Sequence, residues 1–216
     1  MRDLSKFALM LIAAVTLAAL GAGSFEAYRL TDGKARQSHD DTIYGWQPIS
    51  GRWSQQAGIF TNSNYGRGDM LIATRSHGDN YRISADIRFD LLFAETHYGD
   101  AGLVIRTTDP QPGVDSYQGY YAGLRPDGQT VVLGRASFDW HELKTVTLSS
   151  PVAIGAWYHL ELTADGCNLT VSASPVGSSP PARIDYKDDH CLQAGVAGLR
   201  SFYAQASWRN VKISQD

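Results

Sequence analysis

Asp100-Ala-Gly-Leu-Val-Ile-Arg106, Tyr117-Gln-Gly-Tyr-Tyr-Ala-Gly-Leu-Arg125 and Val131-Val-Leu-Gly-Arg135 are the segments that decide the fold class of this chain. Each segment is apolar, contains glycine and ends in an arginine. Side chains alternate between the two faces of a β-strand, so each segment predicts a strand with aliphatic residues on one face and polar or aromatic residues on the other. Together they predict a sheet with a packed core behind it and a polar surface in front.

Strand patterns continue on both sides of these segments. Residues 81–90 alternate strictly between apolar and polar side chains, which predicts a half-buried antiparallel strand. Turn sequences such as Pro126-Asp127-Gly128 separate the segments, and no helical period lies between them. Further strand candidates are 70–74, 102–106, 117–124, 130–133, 143–148, 157–163, 169–173, 195–199 and 204–213. Many short strands at regular spacing predict an all-β antiparallel sandwich rather than an α/β fold.

The beginning of the chain differs from the rest in composition. Arg2 and Lys6 precede the apolar run 7–20, and small residues follow it, as in an export signal over residues 1–23. An uncleaved membrane anchor is the alternative, although a spanning helix needs about 20 apolar residues and this run is shorter. The run has no cysteine at its end, so a bacterial-type lipid anchor there is not supported. We therefore expect an exported protein, periplasmic or secreted, and a membrane attachment only if the segment is retained.

The remaining sequence predicts a short lead-in and one domain. Residues 24–41 are polar and show no sustained periodicity, which is typical of a linker. Residues 42–216 carry the strand patterns and have a suitable length for one β-sandwich. The formal net charge is -3 and the arginines are dispersed among carboxylates, so no electrostatic surface for nucleic acid is present.

Two cysteines, Cys167 and Cys191, are present in the chain. An even number of cysteines in an exported protein predicts a disulfide, with two buried thiols as the alternative. The histidines show no metal-ligand spacing. The acidic groups at 40–41 and 185–189 are interpreted as solvated turn charges, with a structural calcium ion as the alternative, and no cofactor is predicted.

The polar face of the predicted sheet is the candidate ligand surface. Alternation places Arg106 with Asp100 on one strand, and Tyr121 with Arg125 on the next. Arginine forks and tyrosine rings suit sugars, because they offer directed hydrogen bonds to hydroxyl groups and a flat surface to C–H faces. The glycines beside Tyr121 are expected to leave room for a ligand over the backbone.

Two further residues are assigned to this surface with alternatives left open. Arg135 shares its strand phase with Val131 and Leu133, so a bulge is needed to bring it to the polar face. Trp140 is either an aromatic residue at the rim of the ligand surface or part of the core.

The strand motifs resemble a known group of domains. Gly99-Asp-Ala-Gly-Leu-Val-Ile-Arg106, Asp115-Ser-Tyr-Gln-Gly-Tyr-Tyr-Ala-Gly-Leu124 and Trp140-His-Glu-Leu143 are similar to concanavalin A-like jelly-roll domains related to family 66 carbohydrate-binding modules, laminin G-like domains and 3-keto-disaccharide hydrolase domains. The resemblance extends over nearly all of 42–214. It implies two antiparallel sheets in a jelly-roll sandwich, with a sugar on one sheet or its rim, and Arg106 and Tyr121 as the best-matched contacts.

The carboxylates do not follow the pattern of a glycoside hydrolase. Such enzymes use two carboxylates about 5–9.5 Å apart, which glucanase-type jelly rolls supply from acidic residues alternating on one strand. Here Asp86 and Asp90 alternate with basic residues, and Glu161 has no acidic neighbour on its strand.

The sequence therefore favours an exported, non-catalytic carbohydrate-binding or cell-envelope recognition domain. Arg106, Tyr121 and Arg125 are expected to hold hydroxyl or carboxylate groups of a polysaccharide or oligosaccharide. A hydrolase related to the 3-keto-disaccharide enzymes is the first alternative, and a protein-interaction domain is the second.

Overall fold

The strands found in the structure follow the sequence patterns closely. The computed structural model describes residues 43–75, 78–94 and 98–215, and within them the chain forms fourteen strands and no helix. The strands are β1 (Trp46–Ser50), β2 (Trp53–Gln56), β3 (Ile59–Asn62), β4 (Arg67–Ala73), β5 (Tyr81–Leu92), β6 (Asp100–Thr108), β7 (Gln118–Arg125), β8 (Thr130–Ser137), β9 (Trp140–Thr147), β10 (Trp157–Asp165), β11 (Asn168–Pro175), β12 (Ala182–Lys187), β13 (Val196–Phe202) and β14 (Ala204–Gln215).

Two antiparallel sheets form a jelly-roll sandwich, which confirms the predicted fold class. Sheet A has the order β1-β4-β13-β6-β7-β8-β9, and sheet B has the order β12-β11-β10-β5-β14-β3-β2. Sequence-distant strands lie side by side, since β13 pairs with both β4 and β6. The three arginine-ended segments, 100–106, 117–125 and 131–135, form the adjacent strands β6, β7 and β8 of sheet A.

The core lies between the inner faces of the two sheets. The alternation predicted for 81–90 is confirmed, because its apolar residues Tyr81, Ile83, Ile87 and Phe89 are all fully buried in β5. Trp208 of β14 is also fully buried, and its indole N–H donates to the Gly102 carbonyl at 3.2 Å, which joins the two sheets through the core.

Sheet A is unusual because its outer face also carries a buried apolar cluster. This cluster contains Val104, Tyr117, Tyr121 and Val132, with Trp140 packed against it. A strand that is buried on both faces reads as a nearly continuous apolar run, as the segments of β6, β7 and β8 do. The outer cluster supports the polar groups described below.

The sequence patterns do not predict strand β12, and the interpretation of 185–189 as turn charges is wrong for 185–187, which lie in that strand. Asp185 lies within β12 and forms an exposed ion pair with Arg183. Asp188 follows the strand and is buried; its carboxylate accepts hydrogen bonds from the Tyr120 hydroxyl at 2.6 Å and from Arg135 at 3.2 Å. The two ends of this acidic segment therefore have different environments.

The predicted disulfide between Cys167 and Cys191 is confirmed. It ties the turn between β10 and β11 to the segment before β13, across a sequence separation of 24 residues. Closing a loop of this length stabilises the folded state by about 3 kcal/mol, because it restricts the unfolded chain.

The predicted export signal, 1–23, and linker, 24–41, lie outside the described residues. In the described part of the chain, no apolar helix has the length that a membrane crossing requires.

Candidate functional site

A cavity of about 350 Å³ opens on the outer face of sheet A. It lies where β6 begins and where β7 and β13 end, and these strands neighbour one another in the sheet. Its lining residues are Tyr98, Gly99, Asp100, Val114, Asp115, Tyr121, Arg125, Asp127, Trp140, Arg200 and Phe202. The cavity therefore combines a charged floor with aromatic walls.

Arg200 of β13 is the central charged group of the floor. Its side chain is only 4% exposed, and its guanidinium lies 2.8 Å from Asp115 Oδ1 and 3.5 Å from Asp100 Oδ1. The guanidinium carbon also lies 4.8 Å from the centre of the Tyr121 ring. A buried arginine requires such compensation, since removing a charge from water costs several kcal/mol.

Asp100 and Tyr121 form a short hydrogen bond in the floor. The Tyr121 hydroxyl donates to Asp100 Oδ1 at 2.6 Å. Burial raises the pKa of Asp100 above its ordinary value, although the nearby Arg200 charge opposes the rise. Burial and the Asp100 charge also raise the pKa of Tyr121 well above its ordinary value, so the phenol keeps its proton at neutral pH.

The glycines of β7 and β8 make room for aromatic rings of the protein itself. A Cβ at Gly123 would lie 2.2 Å from the Tyr121 hydroxyl oxygen, and one at Gly134 would lie 2.1 Å from the Trp140 ring. Tyr121 and Trp140 meet edge to face, with 6.0 Å between the ring centres. The expectation that the glycine beside Tyr121 leaves space directly for a ligand is thus corrected: Gly123 lets the ring lie flat on the sheet, and the rings form the cavity wall.

Tyr121 and Arg125 share the outer face of β7 as alternation predicts, but most of this face is a buried apolar cluster rather than the predicted polar surface. Tyr117 and Tyr121 lie in the outer cluster, and Arg125 lines the cavity. Arg125 forms an ion pair with Glu142 at 2.7 Å and is 27% exposed, so its guanidinium lies near the mouth. Trp140 lines the cavity and also packs against the outer cluster, so it combines parts of both interpretations.

Arg106 does not lie on this face, and the predicted placement is wrong. A register shift follows Ile105 in the pairing of β6 with β7, and Arg106 has a φ of 53°. The side chain is therefore turned away from the cavity and is fully buried. Its guanidinium donates to the carbonyls of Asp79 and Leu192, the latter at 2.6 Å, so Arg106 fixes two loops.

Arg135 also lies away from the cavity, because β8 pairs with β7 in regular register and so keeps Arg135 in phase with Val131 and Leu133. It shares the inner face of β8 with Val131 and Leu133, which are core residues. Its guanidinium donates to Asp188 at 3.2 Å and to the His190 carbonyl at 2.8 Å. Arg135 therefore joins β8 to the segment that follows β12.

Sequence reasoning missed Arg200 and Asp115 as members of the site. The signal for Arg200 was present, because Ala197 and Leu199 are core residues and alternation then places Arg200 on the outer face with Gly198. Asp115 lies in the loop before β7, where strand alternation gives no direction for its side chain.

The fold and the cavity define this protein as a concanavalin A-like jelly-roll domain with a polar, aromatic-walled site on one sheet. A sequence profile of the 3-keto-alpha-glucoside-1,2-lyase-like domain matches residues 27–214. The chain belongs to that family. A search of curated protein sequences found no match.

Solved structures with the same fold include a carbohydrate-binding module, a protein of unknown function and a sugar-bound lumenal domain. The carbohydrate-binding module CBM66 from Bacillus subtilis matches with a TM-score of 0.65 and 19% identity, over 79% of this chain and 96% of that one. A Bacillus subtilis protein of unknown function with a galectin-like fold has a TM-score of 0.61 and 14% identity, over 79% and 89% of the chains. The exoplasmic/lumenal domain of VIP36, in a form bound to Ca²⁺ and Man2, has a TM-score of 0.61 and 14% identity, over 80% and 81%.

Proposed function

We propose that the cavity on the outer face of sheet A binds a neutral saccharide. The observation that carries this proposal is the largely buried cluster of Arg200, Asp100 and Asp115, which lines the cavity together with the partly exposed Trp140 ring. Sugar hydroxyls donate and accept hydrogen bonds, and this floor contains both donors and acceptors. The ring faces suit the apolar C–H surface of a pyranose or furanose.

One donor of the buried floor is unpaired and becomes available to a ligand only when the Arg200 side chain shifts toward the cavity. Arg200 Nε is buried and has no hydrogen-bond partner among the described residues. A buried N–H group without a partner is costly, so an acceptor that reaches it gains more than it would at the surface. A hydroxyl oxygen of a bound sugar is a suitable acceptor.

The charges of the cavity favour a neutral sugar over an acidic one. Its lining contains two arginines, Arg125 and Arg200, and three aspartates, Asp100, Asp115 and Asp127. Both arginines are already paired with carboxylates. A uronic acid or phosphorylated sugar would bring further negative charge to this set, which we expect to weaken binding.

Replacing Trp140 by alanine is expected to weaken saccharide binding about tenfold or more, because the wall loses the ring that covers the sugar. Calorimetric titration with a panel of neutral and acidic saccharides measures this loss. Trp140→Phe keeps an aromatic wall and should retain most of the affinity. Tyr44→Ala is a matched control, since Tyr44 is 91% exposed and does not line the cavity. Equal affinity in Trp140→Ala and the wild type, or preference for acidic sugars, would contradict the proposal.

A second candidate function is cleavage of a 3-keto-α-glucoside at the same cavity. The family match over 27–214 favours it, and Asp100 is the carboxylate of the cavity floor that we assign to proton exchange with the bound sugar. If the protein is such an enzyme, Asp100→Asn should abolish turnover while the saccharide still binds. Product release followed by mass spectrometry, with titration of the same variant, separates the two effects. Binding without turnover by the wild type would exclude this second function and leave the first.

A further inference from the structure

Five aromatic side chains form a continuous run that leads away from the cavity around the end of the sandwich. They are Tyr98, Phe202, Tyr203, Phe93 and Tyr65. The ring centres of Tyr98 and Phe202 are 6.1 Å apart, and those of Phe202 and Tyr203 are 4.5 Å apart. The Tyr203 ring stacks on Phe93 at 5.4 Å, and Phe93 lies 5.9 Å from Tyr65. We call this set the aromatic run.

The aromatic run is continuous with the cavity. Tyr98 and Phe202 line the cavity and are also the first two members of the run. Tyr98 is 42% exposed, and the other four rings are partly exposed. Aromatic residues that served only as core would be buried like Trp208, so a contiguous set that remains partly exposed indicates an interaction surface.

The backbone adopts an unfavourable conformation to complete the run. Tyr203 is the single residue between β13 and β14, and its φ is 49°. Successive side chains of a regular strand point to opposite faces, but the left-handed conformation of Tyr203 places its ring beside that of Phe202. A bulky residue rarely adopts this conformation, and such strain is concentrated at functional sites.

Two backbone hydrogen bonds hold Tyr203 in this conformation. Its N–H donates to the Gly66 carbonyl at 2.9 Å, and its carbonyl accepts from the Phe93 N–H at 2.9 Å. These bonds attach the segments that carry Tyr65 and Phe93 to the junction between the sheets. The run is therefore arranged before any ligand arrives, which lowers the entropic cost of binding.

We propose that the aromatic run binds the successive units of a neutral polysaccharide chain, one unit of which occupies the cavity. This inference rests on the proposed binding function and names its ligand class as a chain rather than a free mono- or disaccharide. The rings offer apolar faces, while the tyrosine hydroxyls and the exposed guanidinium of Arg67, 6.0 Å from the centre of the Tyr203 ring, offer polar groups at the edges. This mixture suits a sugar chain, which presents apolar faces and hydroxyl edges along its whole length.

The test uses neutral gluco- and fructo-oligosaccharides from disaccharide to octasaccharide, titrated against the full domain by calorimetry. We expect affinity to rise with chain length by about tenfold or more. Tyr203→Gly removes one ring of the run. It also removes the backbone strain at this position, because glycine readily adopts a positive φ. This variant should lose most of the gain in affinity from longer chains. Phe93→Leu, which keeps an apolar side chain in place, should lose part of that gain.

The possible outcomes separate this inference from the proposed function. If a disaccharide binds but longer chains bind no more tightly, the proposed role of the aromatic run is wrong and the proposed cavity site stands. The same holds if affinity rises equally with chain length in Tyr203→Gly and the wild type. No binding at any length would overturn both. Tyr44→Ala serves again as the control, since an exposed tyrosine outside the run should not change the dependence on length.

Discussion

Replacing Arg200 by methionine is expected to lower the free energy of unfolding by about 3–5 kcal/mol, because it leaves two largely buried carboxylates without their cation. The Arg200 side chain is 4% exposed, and those of Asp100 and Asp115 are 14% and 15% exposed. For a domain of this size the loss corresponds to a Tm lower by about 6–20 °C. Denaturant unfolding and calorimetry measure the two quantities.

The loss should depend on pH in a definite direction. Burial already raises the pKa of Asp100 in the folded protein, and Arg200 opposes this rise, so the methionine variant should raise that pKa further. A group whose folded pKa exceeds its unfolded pKa stabilises the fold below the unfolded pKa, and this contribution is lost as the pH rises through the folded value. The deficit of the variant should therefore be larger at about pH 7 than at about pH 5.

A matched control is provided by Arg183. It also forms an arginine–aspartate pair, with Asp185 at 2.8 Å, but both side chains are more than half exposed. Arg183→Met should leave the stability nearly unchanged, as is usual for exposed pairs. Adding Asp100→Asn to Arg200→Met should recover part of the loss, because it removes one unpaired charge. Equal stability of the Arg183 and Arg200 variants would show that the buried cluster is not electrostatically coupled.

Replacing Arg106 by alanine is expected to cost about 3 kcal/mol or more of stability without a direct effect on saccharide binding. The substitution removes the donors that satisfy the Asp79 and Leu192 carbonyls and leaves a void where a fully buried side chain was. Chemical unfolding combined with titration below the unfolding range measures both effects.

Arg125 should behave in the opposite way. It lies at the mouth of the cavity and pairs with the 43%-exposed Glu142, so Arg125→Ala should change the stability by less than about 1 kcal/mol and weaken saccharide binding. A loss of stability alone in Arg106→Ala, together with a loss of binding alone in Arg125→Ala, would support placing Arg125 but not Arg106 at the ligand. Weaker binding in Arg106→Ala at temperatures where it is fully folded would instead place Arg106 at the ligand.

The fold was predictable because alternation is a local property of the sequence. The buried set in β5, the face of β7 that carries Tyr117 and Tyr121, and the disulfide all agree with the predictions. The missed strand β12 lies at the edge of sheet B and has one fully buried apolar residue, Ile184, so its pattern is weak.

The site was less predictable, because its arrangement depends on register and on loops. Alternation assigns a side chain to a face only while the strand is regular. The assignment is wrong for Arg106 because a register shift precedes it in β6. Arg200 lies about a hundred residues from Asp100 in the chain, and only the pairing of β13 with β6 brings the two together. Asp115 comes from a loop, for which the sequence gives no direction. Tyr203 joins the aromatic run through a positive φ that no strand pattern predicts.

The two glycines that receive aromatic rings have a consequence for how this site can change. Gly123 and Gly134 lie beneath Tyr121 and Trp140, so a larger residue at either glycine displaces a ring of the cavity wall. Each glycine and the ring above it must therefore change together, as a matched pair. Val114 and Asp127 line the cavity from loops and are free of this coupling. Diversification of specificity on this scaffold should accordingly begin in its loops, with the sheet retained as a fixed platform.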